Sequence, residues 1–293
     1  MFDTIISAQQ LQQQLEHCRV FDCRFDLADT GYGRRVYEEG HITGAHFLDL
    51  DQDLSSPITA ESGRHPLPAP EQLVHHLLVC GVTPSTQVVV YDDAGGAMAA
   101  RAWWLLRWLG HKAVAVLDGG FPSWQAAGFP TTSGADTDSG ALSPPAAGTA
   151  RPDPDQVVDS SAVLSNIEKK SFTLVDARAN ARFVGEVEPV DPVAGHIPGA
   201  LNRPLTDNLQ QGFFKSANDL RHEWQTVIDG IDPESIVHMC GSGVTACHNQ
   251  LAMEIAGLHG SRVYPGSWSE WIRDPQRPVI NASKQSAGVT QDR

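Results

Sequence analysis

The chain repeats one set of motifs at a period of about 150 residues, which is longer than any solenoid repeat. Residues 20–24 read VFDCR and residues 40–45 read GHITGA, while residues 174–178 read LVDAR and residues 195–200 read GHIPGA. The two motifs are separated by nearly the same distance in each copy. A period of this length is that of a domain, so the sequence predicts two tandem domains with one architecture.

Each copy alternates short β-branched runs with helical patterns. Residues 88–91 (VVVY) and 236–239 (IVHM) are typical of buried parallel strands, and residues 103–109 predict a helix that stops at Gly110. We therefore expect an α/β fold in which each domain is a mainly parallel sheet flanked by helices. Ligands in such sheets bind at the carboxyl ends of the strands.

A segment rich in Thr, Ser, Gly, Asp and Pro separates the copies and predicts an extended linker. The expected organisation is an N-terminal domain over 1–133, a linker over 134–154, a C-terminal domain over 155–280 and a polar tail over 281–293.

The charge balance restricts the partners. With 35 acidic against 21 basic side chains the net charge is -14, which argues against nucleic acid or an anionic membrane as a partner. No run of 18 apolar residues and no signal-peptide pattern occurs, and five irregularly spaced cysteines do not form a disulfide framework. We expect a cytoplasmic protein without a metal site.

The loop from Cys240 to Cys247 (CGSGVTAC) follows a predicted strand and leads into a predicted helix. Gly241 and Gly243 permit a tight loop whose N–H groups can point at an anion, and here that anion is the sulfur of Cys240. Such a setting favours a nucleophilic thiolate, and later a persulfide. The first copy has Asp92 at the corresponding position, so the N-terminal domain is expected to be non-catalytic.

Other roles fit this loop less well. A cysteine phosphatase would carry an arginine six residues after the cysteine, but Ala246 stands there. Cys240 as a purely structural thiol is disfavoured by its glycine-rich setting, whereas Cys247 fits a packed core position better than a redox partner. Ser242 and Thr245 could cap the helix, which is the favoured role of Thr245.

The tandem copies, the paired GHI-x-GA motifs and this loop together resemble the two-domain rhodanese superfamily, and within it the 3-mercaptopyruvate sulfurtransferases. Thiosulfate sulfurtransferases carry basic residues after the cysteine, where this chain has Gly241 and Ser242. The resemblance implies transfer of sulfane sulfur from 3-mercaptopyruvate through a persulfide on Cys240 to a thiol such as thioredoxin, or to cyanide, with no cofactor.

The resemblance also implies roles for other residues. Arg182 would bind the substrate carboxylate, and Ser242, His65 and Asp51 would handle the proton of the substrate thiol, meeting between the domains. The loop residues expected around the substrate are Gly241, Gly243, Val244 and Thr245.

This chain departs from the resemblance at one position, because the family's second arginine is absent from residues 188–192 (EPVDP). Arg64 or Arg203 is the hypothesised source of the missing charge. Two alternatives therefore stay open. One is a thiosulfate sulfurtransferase, and the other is a persulfide carrier or redox-sensing module that acts on a protein partner.

Overall fold

The computed structural model describes residues 1–134 and 150–281 of the 293-residue chain. Most of the predicted linker (134–154) and all but the first residue of the predicted tail (281–293) lie outside the described residues. The described residues form two compact units, the first within 1–57, 67–154 and 209–214 and the second within 58–66, 155–208 and 215–293. Whether the predicted domain boundaries mark independently folding parts stays a prediction.

Short strands and helices follow one another along the chain. The strands are β1 (Ile5–Ile6), β2 (Cys18–Asp22), β3 (His41–Ile42), β4 (His46–Phe47), β5 (Gln87–Tyr91), β6 (Val114–Leu117), β7 (Thr131–Thr132), β8 (Thr173–Asp176), β9 (Leu201–Asn202), β10 (Leu209–Gln210), β11 (Phe213–Phe214), β12 (Ile236–Met239) and β13 (Arg262–Val263). The helices are α1 (Ala8–Gln12), α2 (Tyr32–Glu39), α3 (Pro70–Val79), α4 (Ala99–Trp108), α5 (Gly120–Ala126), α6 (Ser160–Lys169), α7 (Asn180–Phe183), α8 (Ala217–Ile228), α9 (Ala246–Ile255) and α10 (Ser267–Trp271).

The first unit is built on a parallel sheet with the strand order β1-β6-β5-β2-β4. Successive side chains of β5 alternate between the two faces of the sheet. Val89 and Tyr91 join a buried core that includes residues of α1 and α5. Helix α4 contributes a second set of buried side chains, among them Trp103 and Trp104. Gly110 follows α4 with φ +88°, as the predicted helix stop requires.

The second unit repeats this plan with fewer strands. Its sheet has the order β13-β12-β8-β9 and is parallel throughout. Val237 and Met239 of β12 pack into a core with Trp268 and Trp271. The predicted α/β fold with two mainly parallel sheets flanked by helices is therefore confirmed, and the strands predicted over 88–91 and 236–239 are present as β5 and β12.

The repeated Asp-x-Arg motif forms a buried ion pair at the end of the same strand in each unit. Arg24 donates to Asp22 and to the carbonyl of Gly40. Arg178 does the same with Asp176 and with the carbonyl of Gly195. A buried charge is tolerated when it forms a bidentate ion pair and its remaining N–H groups are hydrogen-bonded. The motif thus ties the strand end to the loop that carries the second motif.

The histidines of the repeated GHI motif make equivalent contacts in the two units. Nδ1 of His41 contacts the carbonyl of Tyr37, and Nδ1 of His196 contacts the carbonyl of Phe183, each at 2.8 Å. Each imidazole stacks on the aromatic ring of that residue with 3.9 Å between ring centroids. The symmetry fits a structural role for both histidines.

No helix in residues 1–134 or 150–281 is long and apolar enough to cross a membrane.

Candidate active site

Cys240 lies in the second unit, between the end of β12 and the start of α9, and is 1% exposed. The backbone N–H of Gly243 donates to its sulfur at 3.2 Å. The backbone N–H of Cys240 itself donates to Ser267 Oγ at 3.1 Å. The sulfur is therefore held at the end of a parallel strand with a peptide dipole directed at it, which stabilises negative charge there.

Glycine is required at position 243. Gly243 has φ +78°, and a Cβ atom built there would lie 2.1 Å from the carbonyl oxygen of Pro265. The loop from 240 to 245 is tied to the loop from 265 to 269 by two further bonds. The N–H of Trp268 donates to the Cys240 carbonyl at 3.0 Å, and that of Ser269 donates to the Gly241 carbonyl at 2.8 Å.

The first unit shows what this kind of loop binds. Asp92, at the position that corresponds to Cys240, accepts backbone N–H groups from its own loop with both carboxylate oxygens. Oδ1 accepts from Ala94 and Gly96 at 2.9 and 2.8 Å, and Oδ2 accepts from Met98 and Ala99 at 2.7 and 2.8 Å. The strand-to-helix loop of this fold is thus an anion site, filled in the first unit by a side chain of the chain itself.

The structure brings Ser242 and His65 together. Both are 4% exposed, and Ser242 Oγ lies 2.7 Å from His65 Nδ1. This contact is within the second unit, because residues 58–66 belong to that unit although they precede the linker. Asp51 belongs to the first unit, so its meeting with the other two stays a prediction. Burial, with a contribution from the nearby Asp49, raises the pKa of Asp51.

Two guanidinium groups lie beside Gly241. A Cβ atom built on Gly241 would be 2.9 Å from Nη2 of Arg64 and 3.8 Å from Nη1 and Nη2 of Arg182. The predicted carboxylate-binding residue Arg182 is therefore next to the cysteine loop, and Arg64 is there with it. Arg203 instead donates to Glu223 at 2.6 Å and lies over the ring of Trp224.

Two buried carboxylates hold these arginines. Asp191 contacts Arg64 through Oδ1 and Arg182 through Oδ2, the latter at 3.1 Å. Glu188 contacts Arg182 at 2.7 Å and Arg178 at 3.4 Å. We call the set the arginine–carboxylate chain; its members are Asp176, Arg178, Glu188, Arg182, Asp191 and Arg64.

Within the arginine–carboxylate chain, the pKa values of Asp191 and Glu188 shift in opposite directions. Burial raises the pKa of Asp191, against the attraction of Arg64 and Arg182. Burial also acts to raise the pKa of Glu188, but hydrogen bonds from Arg182 and from two backbone N–H groups outweigh it and lower the pKa. For Arg178, burial opposes the charge, yet Asp176, Glu188 and Cys240 raise its pKa overall. The cysteine and the arginine–carboxylate chain therefore act on one another electrostatically.

The remaining residues of the loop are either buried or lie at the start of α9. Val244 is 4% exposed, and Cys247 is buried with its sulfur 3.4 Å from the Gly243 carbonyl. Thr245 occupies the N-cap position of α9 with φ -74° and ψ -9°, and its side chain makes no capping hydrogen bond. The prediction that Thr245 caps the helix is wrong, because an N-cap side chain reaches the helix from an extended backbone.

Sequence reasoning missed four residues that complete the site. Ser267 accepts the Cys240 N–H and does so with φ +53°, a strained angle for a residue with a side chain. Ser269 accepts the N–H of Arg64 at 3.0 Å. Glu188 and Asp191 were noted only as the surroundings of a missing arginine. The usable signal in the sequence is their charge, since acids beside an arginine must be paired when they are buried.

The other cysteines lack this environment. Burial raises the pKa of Cys18 and raises that of Cys23 well above its usual value, so both thiols stay protonated. All five cysteines are free thiols. No group of three or more His, Cys, Asp or Glu residues within 1–134 and 150–281 is arranged to hold a metal ion.

Fold and loop together define a protein of two α/β units with one candidate cysteine nucleophile at a strand end. A sequence profile described as "Rhodanese-like domain" matches residues 7–127 and 159–274. The chain therefore belongs to the rhodanese-like family, with one match in each half, as the sequence resemblance predicted.

Curated relatives cover nearly the whole chain. A Pseudomonas aeruginosa protein named "Probable 3-mercaptopyruvate sulfurtransferase" is 47% identical over 94% of this chain and 97% of its own length. Human 3-mercaptopyruvate sulfurtransferase is 39% identical over 96% of both chains. Mouse thiosulfate sulfurtransferase is 37% identical over 87% of this chain and 85% of its own. The solved 3-mercaptopyruvate sulfurtransferase from Leishmania major superposes with a TM-score of 0.80 at 31% identity, covering 92% of this chain and 74% of that one.

Replacing Gly243 by alanine tests the close approach of the loop to Pro265. The left-handed angle alone costs an alanine about 1–2 kcal/mol, and the clash adds to that cost. Gly257→Ala is the matched control, because Gly257 has φ +70° but its nearest neighbour would be 3.7 Å away. Urea denaturation should show a clearly larger loss of stability for Gly243→Ala. Equal losses would mean that the loop shifts away from Pro265 without cost.

Proposed function

We propose that this protein is a sulfurtransferase that moves sulfane sulfur from 3-mercaptopyruvate to a thiol or cyanide through a persulfide on Cys240. One observation carries the proposal. The Cys240 sulfur accepts a backbone N–H at the end of β12, and two guanidinium groups lie beside the neighbouring Gly241. A thiolate nucleophile and an anion site are thus adjacent. The relatives named for this activity support the same assignment.

The transfer is a displacement at sulfur. The Cys240 thiolate supplies the electron pair for a new S–S bond to the thiol sulfur of the donor. The donor's C–S bond breaks and leaves its pair on carbon as the enolate of pyruvate, while the thiol proton moves to that carbon. The products are pyruvate and a persulfide anion. The sulfur of an acceptor thiol then bonds to the outer sulfur of the persulfide, and the S–S bond to Cys240 breaks. The acceptor leaves as a hydropersulfide that keeps the thiol's proton, and the thiolate of Cys240 is regenerated.

Ser242 and His65 are proposed to move the proton. Their hydrogen bond of 2.7 Å lies in the same loop that holds the nucleophile. With Nδ1 of His65 unprotonated, the Ser242 hydroxyl can pass a proton from the donor's thiol towards the enolate, as general acid–base catalysis requires. Asp51, with its raised pKa, is proposed as the third member.

Arg182 and Arg64 are proposed to bind the donor's carboxylate. An arginine fork matches the two oxygens of a carboxylate, and each of these two presents part of its guanidinium to Gly241. Nε of Arg64 is buried and has no hydrogen-bond partner among the described residues. Arg64 would thereby replace the family arginine that is absent from residues 188–192. Val244 and Thr245 would border the same pocket.

Thiosulfate is the alternative donor. A relative at 37% identity is named thiosulfate sulfurtransferase, and the reaction needs the same thiolate and leaves sulfite. The second alternative is a persulfide carrier or redox-sensing module that acts on a protein partner. We place the activity in a reducing cytoplasm with thioredoxin or another thiol as acceptor, supported by five free cysteines.

Cys240→Ser tests the nucleophile. Wild-type protein should turn over 3-mercaptopyruvate in preference to thiosulfate, and the variant should turn over neither. Intact-protein mass spectrometry after donor treatment should show one added sulfur atom on the wild type alone, with Cys247→Ser as the control that still gains it. Preference for thiosulfate would overturn the donor assignment, and a stable protein complex without turnover of either donor would favour the carrier.

Ser242→Ala and His65→Gln test the proton path through a difference between donors. 3-Mercaptopyruvate must lose a thiol proton, whereas thiosulfate leaves as sulfite without one. Both variants should lower kcat for 3-mercaptopyruvate about 10²–10⁴-fold and leave thiosulfate turnover nearly unchanged. Ser261→Ala is the matched control, because Ser261 precedes Arg262, the partner of Val237 near the start of β12, and contacts His238 at 3.1 Å. Equal losses with both donors would show that the Ser242–His65 pair only shapes the loop.

Arg64→Gln tests the second carboxylate-binding residue. A hydrogen bond to a charged group is worth about 1.5–3 kcal/mol, so KM for 3-mercaptopyruvate should rise about tenfold or more. Arg203→Gln is the control, since Arg203 is engaged with Glu223 and Trp224. An unchanged KM in Arg64→Gln would remove Arg64 from the site.

A further inference from the structure

The arginine–carboxylate chain beside Cys240 is balanced in charge. Its three arginines face three carboxylates, joined from Asp176 to Arg64 by contacts that alternate in sign. Next to Gly241, the carboxylates are buried more deeply than the two arginines that they contact. The side chains of Glu188 and Asp191 are 4% and 3% exposed, whereas those of Arg182 and Arg64 are 20% and 23% exposed. The chain thus offers N–H groups to an anion without a net positive charge.

Asp191 occupies the middle of this arrangement. It gives one oxygen to each of the two arginines that lie beside Gly241. Its contacts use Nη1 of Arg64 and Nη2 of Arg182, while Nη2 of Arg64 and both Nη atoms of Arg182 lie near Gly241. Asp191 therefore both holds the two guanidinium groups and cancels one unit of their charge.

Charge balance discriminates between anions of different charge. The cost of removing an ion from water grows with the square of its charge, whereas its attraction to a site grows only linearly. 3-Mercaptopyruvate with its thiol protonated carries one negative charge, and thiosulfate carries two. A site that offers hydrogen bonds but little net positive potential therefore compensates the desolvation cost of the monoanion better than that of the dianion.

We infer that Asp191 determines donor specificity by compensating the charge of Arg64 and Arg182, so that the site takes a monocarboxylate thiol donor and disfavours the dianion thiosulfate. The inference rests on the proposed sulfurtransferase activity. It assigns a function to the acid found where residues 188–192 lack an arginine. Asp191 lies within this segment, and Arg64 supplies positive charge from another part of the second unit.

Asp191→Asn tests this through the ratio of the two donors. The amide keeps the size of the side chain and one acceptor, but it removes one negative charge. The added potential acts twice as strongly on a dianion as on a monoanion. The ratio of kcat/KM for thiosulfate to that for 3-mercaptopyruvate should therefore rise about tenfold, as expected for charges about 6 Å apart at an effective dielectric constant of about 40. Any loss common to both donors cancels in this ratio.

Two further variants separate charge from shape. Asp191→Glu keeps the charge and should keep the wild-type ratio even if both rates fall. Glu223→Gln removes one negative charge from the same unit, where it pairs Arg203 and Lys215, and should also leave the ratio unchanged. Thermal unfolding of each variant verifies that it is folded under the assay conditions.

The outcomes are distinct. A raised ratio in Asp191→Asn alone supports the inference. An unchanged ratio, or an equal loss with both donors, overturns it and leaves Asp191 as a structural partner of the arginines. An equal rise in Glu223→Gln also overturns it, because the effect would then come from overall charge. Failure of the wild type with both donors would instead refute the proposed function on which the inference rests.

Discussion

A buried hydrogen-bond acceptor at the end of a central parallel strand, contacted by backbone N–H groups of the following loop, is the constraint around which each unit is built. In the first unit that acceptor is the Asp92 carboxylate, which accepts four backbone N–H groups of the following loop. A carboxylate so bound is fully satisfied, and it fastens the strand to the start of α4. The second unit keeps the loop but places a thiol there, with one N–H on the sulfur. The strand-to-helix loop thus fastens the strand in one unit and holds the candidate nucleophile in the other.

The tandem motifs made the fold predictable, because they report contacts that recur. Asp22 with Arg24, and Asp176 with Arg178, are buried pairs that only a defined strand end can accommodate. The β-branched runs gave the strands, and the glycine-rich loop gave the position of Cys240. Each of these signals lies within a short segment of the sequence, so the spacing of residues in that segment is enough to predict the local structure. Thr245 shows the limit of such reasoning, since residue type suggested a cap that the backbone angles do not permit.

The rest of the candidate site depends on contacts between distant parts of the chain. The bond between His65 and Ser242 spans 177 positions, and that between Arg64 and Asp191 spans 127. No pattern within one segment reveals such a pairing. The structure makes it possible by including residues 58–66 in the second unit. Asp191 was the hardest residue to predict, because an acid in a loop is ordinary in sequence and becomes unusual only when it is found buried between two arginines.

The chain carries a net charge of -14, and yet its proposed substrates are anions. Long-range attraction therefore does not bring the donor to the protein, and recognition depends on groups at short range. Here the arginines beside Gly241 are held by carboxylates that also limit their charge. Arginines with their full positive charge would bind any small anion, including sulfite and phosphate. These anions would compete with the donor for the site beside Cys240. On the proposed function, compensated arginines bind by the geometry of their N–H groups, so that shape and proton content would decide which donor reaches the sulfur of Cys240.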